Sequence, residues 1–204
     1  MAGRYTGLLV DWGGVMTSNV FASFGTFCEQ EGLSVDTVRD LFRSDEASRD
    51  LLVGLETGTL PETDFERRFA EILGVPRDGL IQRLFAGAVL DEVMLAAVRR
   101  ARGAGVRTGL ISNSWGEATY DRALLGELFD GVVISGDIGV RKPSVEIYAL
   151  GARAIDLLPA DCVFVDDLPF NLKPARDMGM ATVRHVDARQ TIEELERLLG
   201  IELT

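Results

Sequence analysis

Six side chains in this sequence have the types and the settings for chemistry. Asp11 follows the apolar run Leu8-Leu9-Val10, and Ser112 and Asn113 follow Leu110-Ile111. Lys142 lies in Gly139-Val140-Arg141-Lys142-Pro143, and Asp166 and Asp167 follow Val163-Phe164-Val165. Brought together, three carboxylates without a partner repel one another and shift toward protonation. A hard divalent cation with oxygen ligands resolves that conflict, and Mg²⁺ suits one or two carboxylates plus a substrate phosphate. Lys142 adds a second positive charge, so the set is built to stabilise an anion. Ser112 and Asn113 can donate hydrogen bonds to non-bridging oxygens. A free aspartate beside the metal can attack phosphorus and form an aspartyl-phosphate.

These residues come together only if the surrounding elements deliver them to one edge. The runs 6–10, 106–111, 131–135, 162–165 and 181–186 are short and apolar without alternation, which suits parallel strands covered on both faces. Helical periodicity spans 91–102, 144–157, 171–178 and 191–199, with Ser144 at an N-cap position and glycines at 103, 179 and 200 as stops. Alternating strand and helix predicts an α/β fold, an open doubly wound parallel sheet, and ligands bind such sheets at the carboxyl edge. Residues 18–88 break the alternation, reading as helix after helix around 20–31, 35–42, 47–55, 62–73 and 79–86. The predicted organisation is a core of 1–17 and 89–204 with a helical cap of 18–88 inserted after the first strand, over the ligand edge.

With these motifs in order, the chain resembles the haloacid dehalogenase-like (HAD) hydrolase superfamily, whose members are mostly phosphatases. Leu8-Leu9-Val10-Asp11-Trp12-Gly13-Gly14-Val15 matches its first motif and Leu110-Ile111-Ser112-Asn113 its second. The 139–143 segment matches its lysine motif, and Val163-Phe164-Val165-Asp166-Asp167 matches its acidic motif. The stretch from Asn171 to Met180 is similar to the branch formed by the N-terminal phosphatase domain of mammalian soluble epoxide hydrolases. The resemblance implies a Rossmann-like core, Asp11 as nucleophile and metal ligand, and Ser112 and Asn113 holding the transferring group. It further implies that Lys142 pairs with Asp11 and phosphate, that Asp167 binds Mg²⁺ directly, and that Asp166 is a ligand or a support. The Gly13 backbone carbonyl would be a further metal ligand, and Asn171 takes the place of a later acidic residue.

One position departs from the phosphatase pattern. Two residues after the nucleophile the family places a second aspartate, which protonates the leaving alcohol; here it is Gly13. General acid–base help is worth about 10²- to 10⁴-fold, so turnover is expected to be slow. Three readings follow. The first is a Mg²⁺-dependent phosphatase of small phosphorylated metabolites. The second is a metal-independent dehalogenase, since halide leaves without a proton; the adjacent Asp166 and Asp167 speak against it. The third is a non-enzymatic descendant that binds a phosphate ligand or a partner protein.

Other features carry less chemistry. Gly136 to Lys142 lacks the glycine immediately before lysine that a phosphate-binding loop requires. His185, the single histidine, reads as structural or solvated. Trp12 and Trp115 either line a substrate pocket or pack under the cap. The charged stretch 62–68 reads as a solvated helix face. Cys28 and Cys162 sit in apolar settings and read as reduced core thiols. A net charge of −11 over 204 residues disfavours nucleic-acid partners. The sequence shows neither a targeting segment nor a membrane-length apolar run, so a cytoplasmic protein is expected.

Overall fold

The computed structural model describes residues 5–204. Strand β1 (Gly7–Val10) is buried along its whole length. It pairs in parallel with β2 (Arg107–Ser112) on one side and β4 (Cys162–Asp166) on the other. With β3 (Gly131–Ile134) and β5 (Ala181–Arg184) outside them, the sheet runs β3-β2-β1-β4-β5 and is parallel throughout. The chain steps outward from β1 through β2 to β3, then returns to the other side of β1. The order therefore reverses at β1 and β4, and the crevice at their carboxyl ends is where such sheets bind ligands.

Alternation along the strands sends side chains to two cores. Leu8 and Val10 join Leu110, Val163 and Val165 beneath α6 (Glu92–Gly103), α7 (Arg122–Leu128) and α11 (Ala188–Leu199). Leu9 joins Ile111 and Phe164 beneath α9 (Val145–Ala154) and α10 (Pro169–Asp177). Cys162 lies in this second core, Cys28 lies among the inserted helices, and both are buried free thiols.

Between β1 and β2 come α1 (Val20–Gln30), α2 (Thr37–Ser44), α3 (Glu46–Glu56), α4 (Glu62–Leu73) and α5 (Leu80–Leu84). Phe24, Phe27, Leu55, Phe65, Phe69 and Leu84 anchor an apolar cluster of their own. At the base, Thr17 and Leu90 form an antiparallel bridge, flanked by Ser18 N–H donating to the Val89 carbonyl (2.7 Å) and Asp91 N–H to that of Met16 (2.9 Å). The chain thus enters and leaves the helical layer at one point. Asp91 also caps α6, its carboxylate accepting from the amides of Val93 and Met94.

The structure adds two helices to those expected. α7 is capped by Asp121 and buries Leu125 and Leu128 at helical spacing. α8 (Ser135–Ile138) is a single turn directly after β3, so that Ser135 leaves the predicted strand. β2 and β4 each run one residue further than expected, because the ladder is a backbone property: Ser112 pairs with Ile134 and Asp166 with Arg184. Ser144 stands at the N-cap of α9 but makes no side-chain cap bond. The 62–68 stretch is not simply a solvated face. Glu62 accepts from the Glu117 amide (2.9 Å) and Glu66 from that of Ile81 (3.0 Å), so one carboxylate ties the loop after β2 to α4 and the other ties α5 to it.

Candidate active site

The predicted aspartates, Ser112 and Asn113 lie at or just beyond strand ends, Lys142 comes from the loop after α8, and the switch point gathers them. Asp11 extends the ladder beyond β1, its amide donating to the Val165 carbonyl (2.9 Å). Lys142, buried on the loop after α8, places Nζ 2.7 Å from both Asp11 Oδ1 and Asp166 Oδ2. The Phe164 ring lies 5.7 Å from that ammonium. Asp11 Oδ1 also accepts from the Trp12 amide (2.7 Å), so both contacts fall on one oxygen.

Asp166 and Asp167 are adjacent in sequence and differ in what they touch. Asp166 is fully buried, and both its oxygens are engaged. Oδ2 meets Lys142 and Asn171 Nδ2 (3.1 Å), while Oδ1 accepts from Asn171 Nδ2 (3.0 Å) and the Leu168 amide (2.9 Å). Asp167 is partly exposed and turns its carboxylate to the tight turn after β1. Gly14 there has φ +77°, and a Cβ on it would stand 2.7 Å from Asp167 Oδ2. Glycine is required at that turn both for its backbone angle and for room.

Asp11, Asp166 and Asp167 each offer a carboxylate oxygen, all within 4.8 Å of one another. One ammonium faces three carboxylates. Burial, then the neighbouring Asp166 and Asp167, raise Asp11 above the ordinary carboxyl range despite the opposing pull of Lys142. Burial and Asp166 push Asp167 up to about 6. The Asp11 and Asp166 anions raise Lys142 in turn, outweighing its burial. A hard, oxygen-only donor set that is short of positive charge fits a divalent cation such as Mg²⁺. Asp11, Asp166 and Asp167 could each offer it an oxygen, and of the three Asp166 is the one whose two oxygens are already engaged by Lys142, Asn171 and the Leu168 amide.

Two predicted binders prove to have other engagements. The Asn113 side chain clamps the backbone of Lys142, accepting from its amide (2.8 Å) and donating to its carbonyl (3.2 Å). Ser112 Oγ lies 2.9 Å from the Tyr120 hydroxyl, which itself reaches the Asn113 carbonyl (3.2 Å). Tyr120 was not visible as a site residue in the sequence. Burial raises it well above the ordinary phenol range, so it stays a protonated donor. Ser112 Oγ also lies 3.4 Å from the Asn113 carbonyl, so the two hydroxyls share that acceptor.

Beside Gly13 lies a cavity of about 700 Å³, walled by Trp12, Phe85 and Trp115 and rimmed by Glu62 and Glu66. Both tryptophans therefore line the pocket and also pack. Trp12 meets Tyr120, and Trp115 enters the aromatic cluster of the inserted helices against Phe24, Phe42, Phe65 and Phe85. The His185 amide donates to the Asp166 carbonyl (3.0 Å), while its ring Nδ1 lies 2.9 Å from Thr191 Oγ1. Among the described residues no helix is long and apolar enough to cross a membrane.

Residues 5–179 match the profile of the haloacid dehalogenase-like hydrolases. The chain is 30% identical to rat bifunctional epoxide hydrolase 2 over 139 residues, 63% of this chain and 25% of that protein. It thus spans about a quarter of the length of that relative. It is 28% identical over 155 residues to a sesquiterpene phosphatase of Aspergillus oryzae, covering 71% of this chain and 77% of that one. A HAD family enzyme of Bacteroides thetaiotaomicron, crystallised with magnesium and inorganic phosphate, shares the fold. Its TM-score is 0.66 at 20% identity, over 88% of this chain and 93% of that one.

Proposed function

The chain belongs to the haloacid dehalogenase-like hydrolases, and from that membership we propose that it is a Mg²⁺-dependent phosphatase of small phosphorylated metabolites, working through an aspartyl-phosphate on Asp11. The observation that carries this reading is the buried Asp11–Lys142–Asp166 set with Asp167 beside it. The adjacent Asp166 and Asp167 favour a metal, which supports this reading over a metal-independent dehalogenase.

The transferring phosphoryl group is held by Lys142 Nζ and the Ser112 hydroxyl. Asp11 Oδ1 is bound to Lys142 and the Trp12 amide, which leaves Oδ2 to attack. The bond from Oδ2 to phosphorus forms as the bond from phosphorus to the leaving oxygen breaks. Water then cleaves the acyl phosphate and regenerates the carboxylate. Asn113 fixes Lys142 through its backbone, and Asn171 and the Leu168 amide fix Asp166. Bound by Asp11, Asp167 and the Gly13 carbonyl, Mg²⁺ would supply positive charge to the phosphate and keep both carboxylates ionised. The organic portion of the substrate occupies the cavity beside Gly13, under the helical cap. Gly13 offers no proton to the departing alkoxide, so poor leaving groups turn over slowly.

The test is hydrolysis of acetyl phosphate and p-nitrophenyl phosphate, with Mg²⁺ and with chelator, by wild type and Asp11→Asn. We expect Mg²⁺-dependent turnover that Asp11→Asn abolishes while the fold persists by circular dichroism. Turnover unaffected by chelator, or retained by Asp11→Asn, would overturn the reading.

A further inference from the structure

Glu56, the last residue of α3, is a buried carboxylate that the reaction above does not use. It belongs to the inserted helices, yet its partners belong to the sheet. Its backbone carbonyl accepts from the Ser135 hydroxyl, 79 positions away. Its Oε2 stands 2.5 Å from Arg141 Nε, close enough for an ion pair but without hydrogen-bond alignment. The side-chain amide of Asn113 faces the same carboxylate. Two positions on, Gly58 has φ +69° and lies so near α8 that a Cβ would come within 2.5 Å of the Gly136 carbonyl. The α3 terminus is thus pressed against the core at several points.

What Glu56 touches is what holds Lys142. Arg141 precedes Lys142 in the chain, and Asn113 clamps the Lys142 backbone on both its amide and its carbonyl. Burial pushes Glu56 up to about 7 against the pull of Arg141 and Lys142, so its charge is held there at a cost. A buried carboxylate next to a half-buried guanidinium is weak evidence for stability by itself. Glu56 is not on the wall of the cavity beside Gly13, which sets it apart from groups that meet substrate.

We infer that Glu56 is a positioning residue, through which seating of the inserted helices sets Arg141, Asn113 and so the ammonium of Lys142. The inference rests on the reading of Lys142 as the phosphate-binding cation. The helical layer then does more than cover the crevice, because the site is complete only when α3 is docked. Displacing a reacting group by about 1 Å can cost about 10²-fold in rate, so a small shift of the 139–142 loop is enough.

The experiment compares Glu56→Gln, Arg141→Gln, the double variant and Arg141→Lys on acetyl phosphate with Mg²⁺. Folding is checked by circular dichroism and thermal melts. Each single variant is expected to lower kcat/KM by about 10-fold or more. The double variant should be no worse than the worse single, since both remove one contact. Arg141→Lys, which keeps the charge, should recover part of the loss. A folded Glu56→Gln within about 2-fold of wild type, or losses that multiply in the double variant, would overturn the inference. Should Glu56→Gln fail to fold, Arg141→Gln carries the same test from a half-buried loop residue. Hydrogen exchange at the Lys142 amide provides a readout independent of turnover. It should quicken in Glu56→Gln or Arg141→Gln, and unchanged exchange there overturns the inference. An inactive wild type with quickened exchange would instead sink the phosphatase reading and leave the positioning role standing.

Discussion

At position 13 the side chain is a hydrogen atom where a phosphatase of this family carries an acid. The expected defect depends on the leaving group, since acetyl phosphate expels a stable anion and an alkyl phosphate expels an alkoxide. Gly13 is half-buried and is not among the glycines with positive φ, so its backbone suits an aspartate. A Cβ would meet Val20 Cγ2 at 3.0 Å, so the Val20 side chain must give by a few tenths of an ångström. We expect Gly13→Asp to raise kcat/KM for alkyl phosphates by up to about 10²-fold and to leave acetyl phosphate little changed. A plot of rate against leaving-group pKa for both proteins checks this. A shallow wild-type slope would mean that another group already supplies the proton.

At the scale of elements, the turn leaving β1 does most to shape the candidate metal site. Three amides, of Val15, Met16 and Thr17, converge on the Trp12 carbonyl, and the Gly14 amide donates to Thr17 Oγ1. That tight winding brings Gly14 against Asp167. Gly14→Ala must take the left-handed angle, at roughly 1–2 kcal/mol, and must also push the Asp167 carboxylate away. We expect a lower Tm in chelator and a Mg²⁺ affinity reduced by about 10-fold or more, measured by calorimetry. Unchanged affinity would show that Asp167 is not a ligand. The connection from β2 to α7 works in the other direction. It carries Trp115 into the aromatic cluster of the inserted helices and Tyr120 back to Ser112, so one loop joins those helices to the end of β2.

Across the whole molecule, charge is the quantity that ties stability to metal. Asp11, Glu56 and Asp167 all have raised carboxyls, the last two at about 7 and about 6. An acid with a raised folded value binds more protons folded than unfolded between its two values. Its protonation therefore stabilises the fold at low pH, and that contribution is lost as pH rises through the folded value. Metal-free protein is expected to lose Tm between about pH 5 and pH 8 from these groups. On the proposed function Mg²⁺ would take the ionised carboxylates of Asp11 and Asp167, so its binding would release protons and its stabilisation would grow over the same window. Thermal melts at several pH values, with and without Mg²⁺, would show the two curves diverging as pH rises. A Mg²⁺ effect that is constant with pH would argue against ligands that start protonated.

Much of the molecule was legible in the sequence because its signals are local. A strand covered on both faces must be apolar throughout, so Leu8-Leu9-Val10 ends visibly at Asp11 and Val163-Phe164-Val165 at Asp166. The order of elements then leaves few topologies, and a parallel sheet puts every strand's carboxyl end on one edge. The missed helix α7 also had a local signal, Asp121 followed by leucines at 125 and 128. The division of labour between Asp166 and Asp167, implied by the family resemblance alone, had no local signal. It depends on Lys142, Leu168 and Asn171 closing around one carboxylate and Gly14 lying against the other. Nor could Glu56 be told from its charged neighbours on α3, or Tyr120 from a core aromatic. Their meaning lies in Arg141 and Ser112, partners set by packing between the inserted helices and the sheet and within the loop that follows β2. Periodicity reports which face of an element is buried; only the tertiary structure decides which buried polar groups face one another.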